Sequence, residues 1–370
     1  MKKSFNQILV SISEDRDRKI SAKLPSWAGR DGLEYPSSLC LEQCSSEPAA
    51  AYKAGLIRMA EGQDISLADL TGGLGVDSLA FSKVCSHVIY NEIDPKLAAA
   101  AGRNFTILGA GNIRVSNSDA EDLLQNEWHT DWIFLDPARR DAAGKKVFLL
   151  ENCSPNVLAL MPSLWEHADR IMLKLSPMAD ITMLGERLGN NLKEIHVVGI
   201  DGECKELLCI LTREKYGDFR TVAVEIKDGE TNTVTFQTKE NIGPSGIPVA
   251  GDILFEPSAT LMKSGFADTY CLSKGYGKFD RFTQLYSRPG ASDFESFGKT
   301  FRVIETIGLS GSGIKAAGKK YPEADVTAKN IRISSEELKK RLGTRSGNGI
   351  HIFGASISGE KMLIVCKRIL

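Results

Sequence analysis

The run Asp69-Leu70-Thr71-Gly72-Gly73-Leu74-Gly75 constrains this chain more than any other segment. The short apolar stretch Ile65-Ser66-Leu67-Ala68 leads into it, and Val76-Asp77-Ser78-Leu79-Ala80-Phe81 follows with helical spacing. The run therefore reads as a strand-to-helix turn. Its glycines permit positive φ and let a ligand approach the main chain, while the start of the next helix offers unpaired N–H groups. Such a turn is a cofactor cradle. A dinucleotide fingerprint requires G-x-G-x-x-G/A, and Gly73-Leu74-Gly75 followed by Ser78 fits it poorly.

The acid ahead of the glycines points to a different ligand. Asp69 would repel a pyrophosphate but suits the amino group of a ligand with a methionine tail, of which S-adenosylmethionine is one. Three further segments repeat the pattern of a strand that ends in an acid. Val88–Asn91 runs into Glu92, Ile113–Val115 leads to Ser118-Asp119-Ala120, and Trp132–Leu135 ends at Asp136-Pro137-Ala138-Arg139-Arg140. Glu92 stands at about the distance from the turn at which an acid meets ribose hydroxyls in doubly wound folds. Asp94-Pro95 has the form of an N-cap followed by the first helical position. Four strands in order, each closed by an acid, place those acids along the crevice where α/β sheets bind ligands.

In these four motifs the chain resembles the class I S-adenosylmethionine-dependent methyltransferases, over roughly residues 40 to 215. More narrowly, Glu42-Gln43-Cys44-Ser45-Ser46-Glu47, the Asp-Pro-Ala-Arg form of the fourth motif, and Glu256-Pro257-Ser258-Ala259 followed by basic segments are similar to the bacterial methyltransferases with a THUMP-like C-terminal domain. The resemblance implies an α/β fold. A Rossmann-like domain, its mostly parallel sheet closed by an antiparallel hairpin, is preceded by a helical segment and followed by a small α+β, ferredoxin-like or THUMP-like region. It implies S-adenosylmethionine as cofactor, with Asp69, Gly72, Gly73, Gly75 and Asp77 at the methionine end, Glu92 with Asp94 at the ribose, and Asp119 with Ala120 at the adenine. Asp136 and Pro137 sit where base-amino methyltransferases carry Asp/Asn-Pro-Pro-aromatic, whose carboxylate or amide and proline carbonyl accept hydrogen bonds from the target amine. Here Ala138 replaces the second proline and Arg139 the aromatic. A guanidinium can stack on a base, or clamp a phosphate together with Arg140.

Expected segments are a helical region at 1–60, the methyltransferase domain at 61–215, an α+β segment at 216–300 and a basic THUMP-like domain at 301–370. Helices are expected over Glu151–His167 and Gly185–Leu192, and hairpins about Asp201-Gly202 and Asp228-Gly229-Glu230. The net charge of −1 hides an asymmetry: residues 271–370 carry 18 Lys and Arg against 9 Asp and Glu, a net of +9, whereas the first 270 carry 28 against 38, a net of −10. That split suggests a polyanion-binding module joined to a catalytic one, with Lys339, Lys340 and Arg341 as substrate-binding candidates. The eight cysteines form no C-x-x-C pair and the five histidines are isolated, so no metal site is expected. With no apolar stretch of membrane-spanning length, no membrane partner and a cytoplasmic location are expected. The expected function is methylation of RNA, tRNA or rRNA. The alternatives are methylation of a small molecule, or cofactor binding without transfer.

Overall fold

The computed structural model describes residues 5–60, 64–138, 150–290, 295–347 and 349–369. They form two compact units, the first of residues 1–198 and 205–220, the second of 199–204 and 221–370.

The first unit opens with helices α1 (Phe5–Lys23), α2 (Ser38–Gln43) and α3 (Glu47–Ala60). Strands and helices then alternate: β1 (Ser66–Asp69), α4 (Val76–Ser82), β2 (His87–Asn91), α5 (Pro95–Ile107), β3 (Ile113–Ser116), α6 (Ala120–Leu123), β4 (Thr130–Leu135), α7 (Val157–His167), β5 (Ala168–Leu175), α8 (Ile181–Leu188), β6 (Leu192–Ile200) and β7 (Glu203–Thr212). Within this unit the strand order is β3-β2-β1-β4-β5-β7-β6. The pairs β1–β2, β2–β3, β1–β4 and β4–β5 are parallel, and β7 runs antiparallel to β5. Order reverses beside β1, so the carboxyl ends of β1, β2 and β4 open onto the switch-point crevice of an α/β sheet. The central strands are buried on both faces, as Trp132, Ile133, Phe134 and Leu135 of β4 show. Ile57, Leu67, Phe81, Val88, Trp132 and Met172 form one core. Leu24, Trp27 and Leu41 of the N-terminal segment pack with Leu74, Tyr90 and Phe105 in another, which ties that segment to the glycine turn.

Two helices are shifted from their expected positions. The one expected over Glu151–His167 begins at Val157, because the Asn156 side chain accepts the Ala159 N–H and fixes the start there; a single 3₁₀ turn, Leu150–Asn152, precedes it. The one expected over Gly185–Leu192 spans Ile181–Leu188. Asp180 caps it through the Met183 N–H, Gly189 with φ +64° ends it, and Leu192 already belongs to β6.

The second unit contains β8 (Arg220–Lys227) from Thr221 onward, β9 (Glu230–Val234), β10 (Ile253–Pro257), α9 (Ala259–Ser264), α10 (Ala267–Ser273), β11 (Gly277–Asp280), β12 (Thr283–Arg288), β13 (Gly298–Gly308), α11 (Gly311–Lys320), β14 (Asp325–Lys329), α12 (Ser335–Leu342), β15 (Ile350–Ile357) and β16 (Glu360–Ile369). Seven strands form one sheet, β11-β12-β10-β13-β16-β15-β14, which draws on both sides of residue 300. Its pairs are antiparallel except β14 with β15. Helices α11 and α12 bury Ile314, Ala317, Leu338 and Leu342 against Ile352, Leu363 and Val365 of the sheet. Both expected hairpins form, with Gly202 and Gly229 at positive φ.

Candidate active site

The glycine turn is shaped by contacts as much as by flexibility. Gly73 and Gly75 have φ of +55° and +85°. A Cβ on Gly72 would lie 2.1 Å from the Tyr90 ring, and one on Gly75 would lie 2.5 Å from the Phe105 ring. Tyr90 and Phe105 meet edge-on at 5.2 Å, and the Tyr90 hydroxyl donates to the Gly73 carbonyl at 2.6 Å. The turn is thus cast against two aromatic rings.

The acids expected at the crevice do different work. Glu92, half-buried at the end of β2, accepts the Gly73 N–H at 2.8 Å and the Asp94 N–H at 2.9 Å, so its carboxylate stands directly beside the glycine turn. Asp94 caps α5 through the Lys96 and Leu97 amides, and Asp119 caps α6 through the Glu121 amide at 2.8 Å, with Ala120 buried as its first residue. Asp136 follows β4, where its N–H donates to the Thr71 hydroxyl at 2.6 Å and its carboxylate pairs with Lys174 of β5. Pro137 is buried and Ala138 bridges to Ser154. Arg139 and Arg140 lie outside the described residues.

Asp69 and Asp77 carry the site's electrostatics. Asp69 is fully buried, accepting the Ser78 hydroxyl at 2.5 Å and the Thr71 N–H at 3.1 Å. Burial, reinforced by the neighbouring Asp77 charge, pushes its carboxyl up to about 7 against the lowering effect of the Ser78 hydrogen bond. Asp77 behaves oppositely: burial disfavours its charge, but Lys53 and Lys174 outweigh burial and hold it below the usual carboxylate range. Lys53 of α3 is fully buried, pairs with Asp77 at 3.1 Å and Glu206 of β7 at 2.8 Å, and donates to the Ser45 hydroxyl, which itself donates to Asp77. Although burial pulls Lys174 down, Asp136, Glu206 and Asp77 together raise it above the ordinary lysine value. Three carboxylates, Asp77, Asp136 and Glu206, thus share two lysines, Lys53 and Lys174. Asp69 is the acid left without an ion pair among the described residues.

Sequence reasoning passed over Lys53, Lys174, Glu206 and Asn91. Buried Asn91 donates to the Ser118 carbonyl at 3.0 Å and accepts from the Ser118 N–H, so it links the ends of β2 and β3. The available signals were a lone lysine in the otherwise uncharged run Ala49–Gly55 and another inside the apolar strand Ile171–Leu175.

In the second unit, Lys339, Lys340 and Arg341 lie together in the last turn of α12. Arg341 pairs with Glu337 on the same helix and Lys339 donates to the Ser346 hydroxyl. Other cations of this unit are likewise paired locally, Lys320 with Glu305 and Lys329 with Glu256. Among the described residues no group of three or more His, Cys, Asp or Glu is arranged to hold a metal ion, and no helix is long and apolar enough to cross a membrane.

Residues 298–368 match the family model described as THUMP domain-like. No curated protein matches the chain. A Porphyromonas gingivalis protein to which methyltransferase activity is ascribed has a crystal structure similar over 97% of this chain and 89% of its own, at 28% identity and a TM-score of 0.84. Partial likenesses, each with a TM-score of 0.34, are an rRNA methylase from Streptococcus thermophilus (11% identity, 44% of this chain, 93% of that one) and TrmK of M. capricolum solved with S-adenosyl-homocysteine (13% identity, 45% and 70%). Fold, motif order and the full-length likeness agree: the chain has the fold of the class I methyltransferases and carries a THUMP-like domain over residues 298–368.

Proposed function

We propose that the protein is an S-adenosylmethionine-dependent methyltransferase that modifies RNA, tRNA or rRNA, with the second unit gripping the substrate. The observation that carries the cofactor assignment is buried Asp69, held near neutrality beside a glycine cradle that leaves no room for a Cβ at Gly72 or Gly75. A buried acid without an ion pair among the described residues favours a ligand that brings positive charge, and the α-ammonium and sulfonium of S-adenosylmethionine do so. Asp69, Gly72, Gly73, Gly75 and Asp77 would hold the methionine end, Asp77 through its place in the Lys53 network. Glu92, beside the Gly73 amide, would take the ribose. Asp94 and Asp119 would act through the helix starts they cap, with Asp119 and Ala120 next to the adenine. Bound there, the cofactor supplies a methyl group on an activated sulfonium. The chain's task is to present the acceptor atom in line and exclude water. Asp136, with Pro137, would accept a hydrogen bond from that atom, and Lys174 would orient the Asp136 carboxylate; Arg139 and Arg140 would contact the substrate.

Calorimetry tests the cofactor half: S-adenosylmethionine and S-adenosylhomocysteine should bind and NAD should not. NAD binding with no response to either would overturn the assignment. A small-molecule substrate is the second reading, favoured by the local pairing of Lys320, Lys329 and Arg341, which reduces the charge free to meet phosphates. Labelled methyl transfer to cellular RNA, against transfer to a small-molecule extract, separates the two.

A further inference from the structure

The tip of the β11–β12 hairpin breaks two local rules at once. Asp280 pairs with Thr283, leaving Arg281-Phe282 as a two-residue loop, where Asn-Gly or Gly-containing pairs at positive φ are favoured. Neither residue has positive φ. Phe282 is 68% exposed, and no other aromatic side chain among the described residues is classed as exposed. The Arg281 guanidinium lies over its ring, 5.3 Å from the centroid.

This tip is fastened rather than loose. Ser358 N–H donates to the Phe279 carbonyl at 3.0 Å, the Thr283 hydroxyl to the Ser356 carbonyl at 2.8 Å, the Ser356 hydroxyl to the Asp280 carboxylate at 3.1 Å, and the Asn330 amide to the Thr283 hydroxyl at 3.2 Å. The last bond brings the β14–α12 loop alongside, and with it exposed Arg332, two residues on. Neither Arg281 nor Arg332 has an acidic partner among the described residues, in contrast to Arg341 and Arg345 of the same unit, which pair with Glu337 and Glu323.

From this we infer that Phe282 is a stacking platform for one base of a single-stranded RNA, with Arg281 and Arg332 taking adjacent phosphates. This deepens the RNA reading above and rests on it. An aromatic face accepts any base, guanidinium groups add cation–π and phosphate contacts, and a tip fixed in advance loses little freedom on binding. The surface lies apart from Lys339, Lys340 and Arg341 in sequence and needs none of them.

The test is fluorescence anisotropy of the full chain with a labelled single-stranded RNA of mixed sequence, titrated over potassium chloride. Phe282→Ala should weaken binding roughly 5- to 150-fold, the range for loss of one stacked base, without changing the slope of log affinity against log salt. Phe282→Trp should restore affinity. Arg281→Ala and Arg332→Ala should each flatten the slope by about 0.7. If the wild type binds and Phe282→Ala binds within twofold of it, the platform is refuted while the RNA reading stands, and the exposed ring is then a contact for a protein. If the wild type itself binds no RNA at low salt, both fall.

Discussion

The crevice of the first unit and helix α12 of the second both gather charged side chains, but in opposite ways. In the crevice Asp69, Asp77, Glu206 and Lys53 are buried, and Lys53 has no solvent exposure at all. On α12 they are solvated, with Arg341 and Glu337 paired and about half exposed. The same residue types therefore have different consequences. Desolvated charge fixes structure and selects a ligand; solvated charge stays available for long-range attraction and is easily screened.

The largest effect should come from breaking the buried side of this comparison. Lys53→Met leaves Asp77 and Glu206 desolvated without their cation, and should destabilise the protein by about 3–5 kcal/mol, measured by urea unfolding. A loss below about 1 kcal/mol would mean that water or a shifted Lys174 compensates. Next in size is a pH dependence. Because folding raises the Asp69 pKa from an ordinary carboxylate value to about 7, the unfolded chain releases that proton near pH 4 while the folded chain keeps it. Stability contributed by this group is therefore lost as pH rises from about 4 to 7 and is level above, with a slope approaching about 1.4 kcal/mol per pH unit. Asp69→Asn should remove that slope, and a difference curve between variant and wild type that stays flat would exclude the raised pKa. Third, Gly75→Ala forces a Cβ toward the Phe105 ring at a φ of +85° and should cost about 1–3 kcal/mol, read as a fall in Tm. Smallest, replacing Lys339, Lys340 and Arg341 with Ala should change stability by no more than about 0.5 kcal/mol each. The same triple change should flatten the salt slope of RNA binding by about two units if all three touch phosphates. An unaltered slope would leave α12 as a solvated face.

Most of what was legible in the sequence was local. Each strand-to-acid turn announces itself within a few residues, since glycine, the Asp94-Pro95 cap and the apolar run are neighbours in the chain. The hairpins at Asp201-Gly202 and Asp228-Gly229 were legible for the same reason, their φ values demanding those residue types. Long-range partnerships were not. Lys53 meets Glu206 across 153 positions, and Lys174 meets Asp136 across 38. A lysine on a helix or strand ordinarily reads as solvated, and only the three-dimensional fold shows these two enclosed. Asp94 carried two readings, an N-cap from its neighbour Pro95 and a ribose contact from the resemblance, and its side chain accepts from the first amides of α5. The two shifted helices had the same origin, since the Asn156 and Asp180 caps are single residues outweighed by the apolar periodicity around them.

The six residues 199–204, at the tip of the β6–β7 hairpin, belong to the second unit although the strands on either side are chiefly in the first. Their partners come later in the chain: the Gly202 amide donates to Glu225 at 2.6 Å and the Asp201 amide to the Ile226 carbonyl at 3.0 Å. During synthesis the tip leaves the ribosome about twenty residues before those acceptors, so the first unit can assemble its sheet while the tip is still unsatisfied. A shortened chain ending near Glu214 would keep that condition permanently, with two amides open to whatever acceptor reaches them. The order in which the chain is made thus gives the first unit a head start, because the earliest residues of the second wait on its later ones.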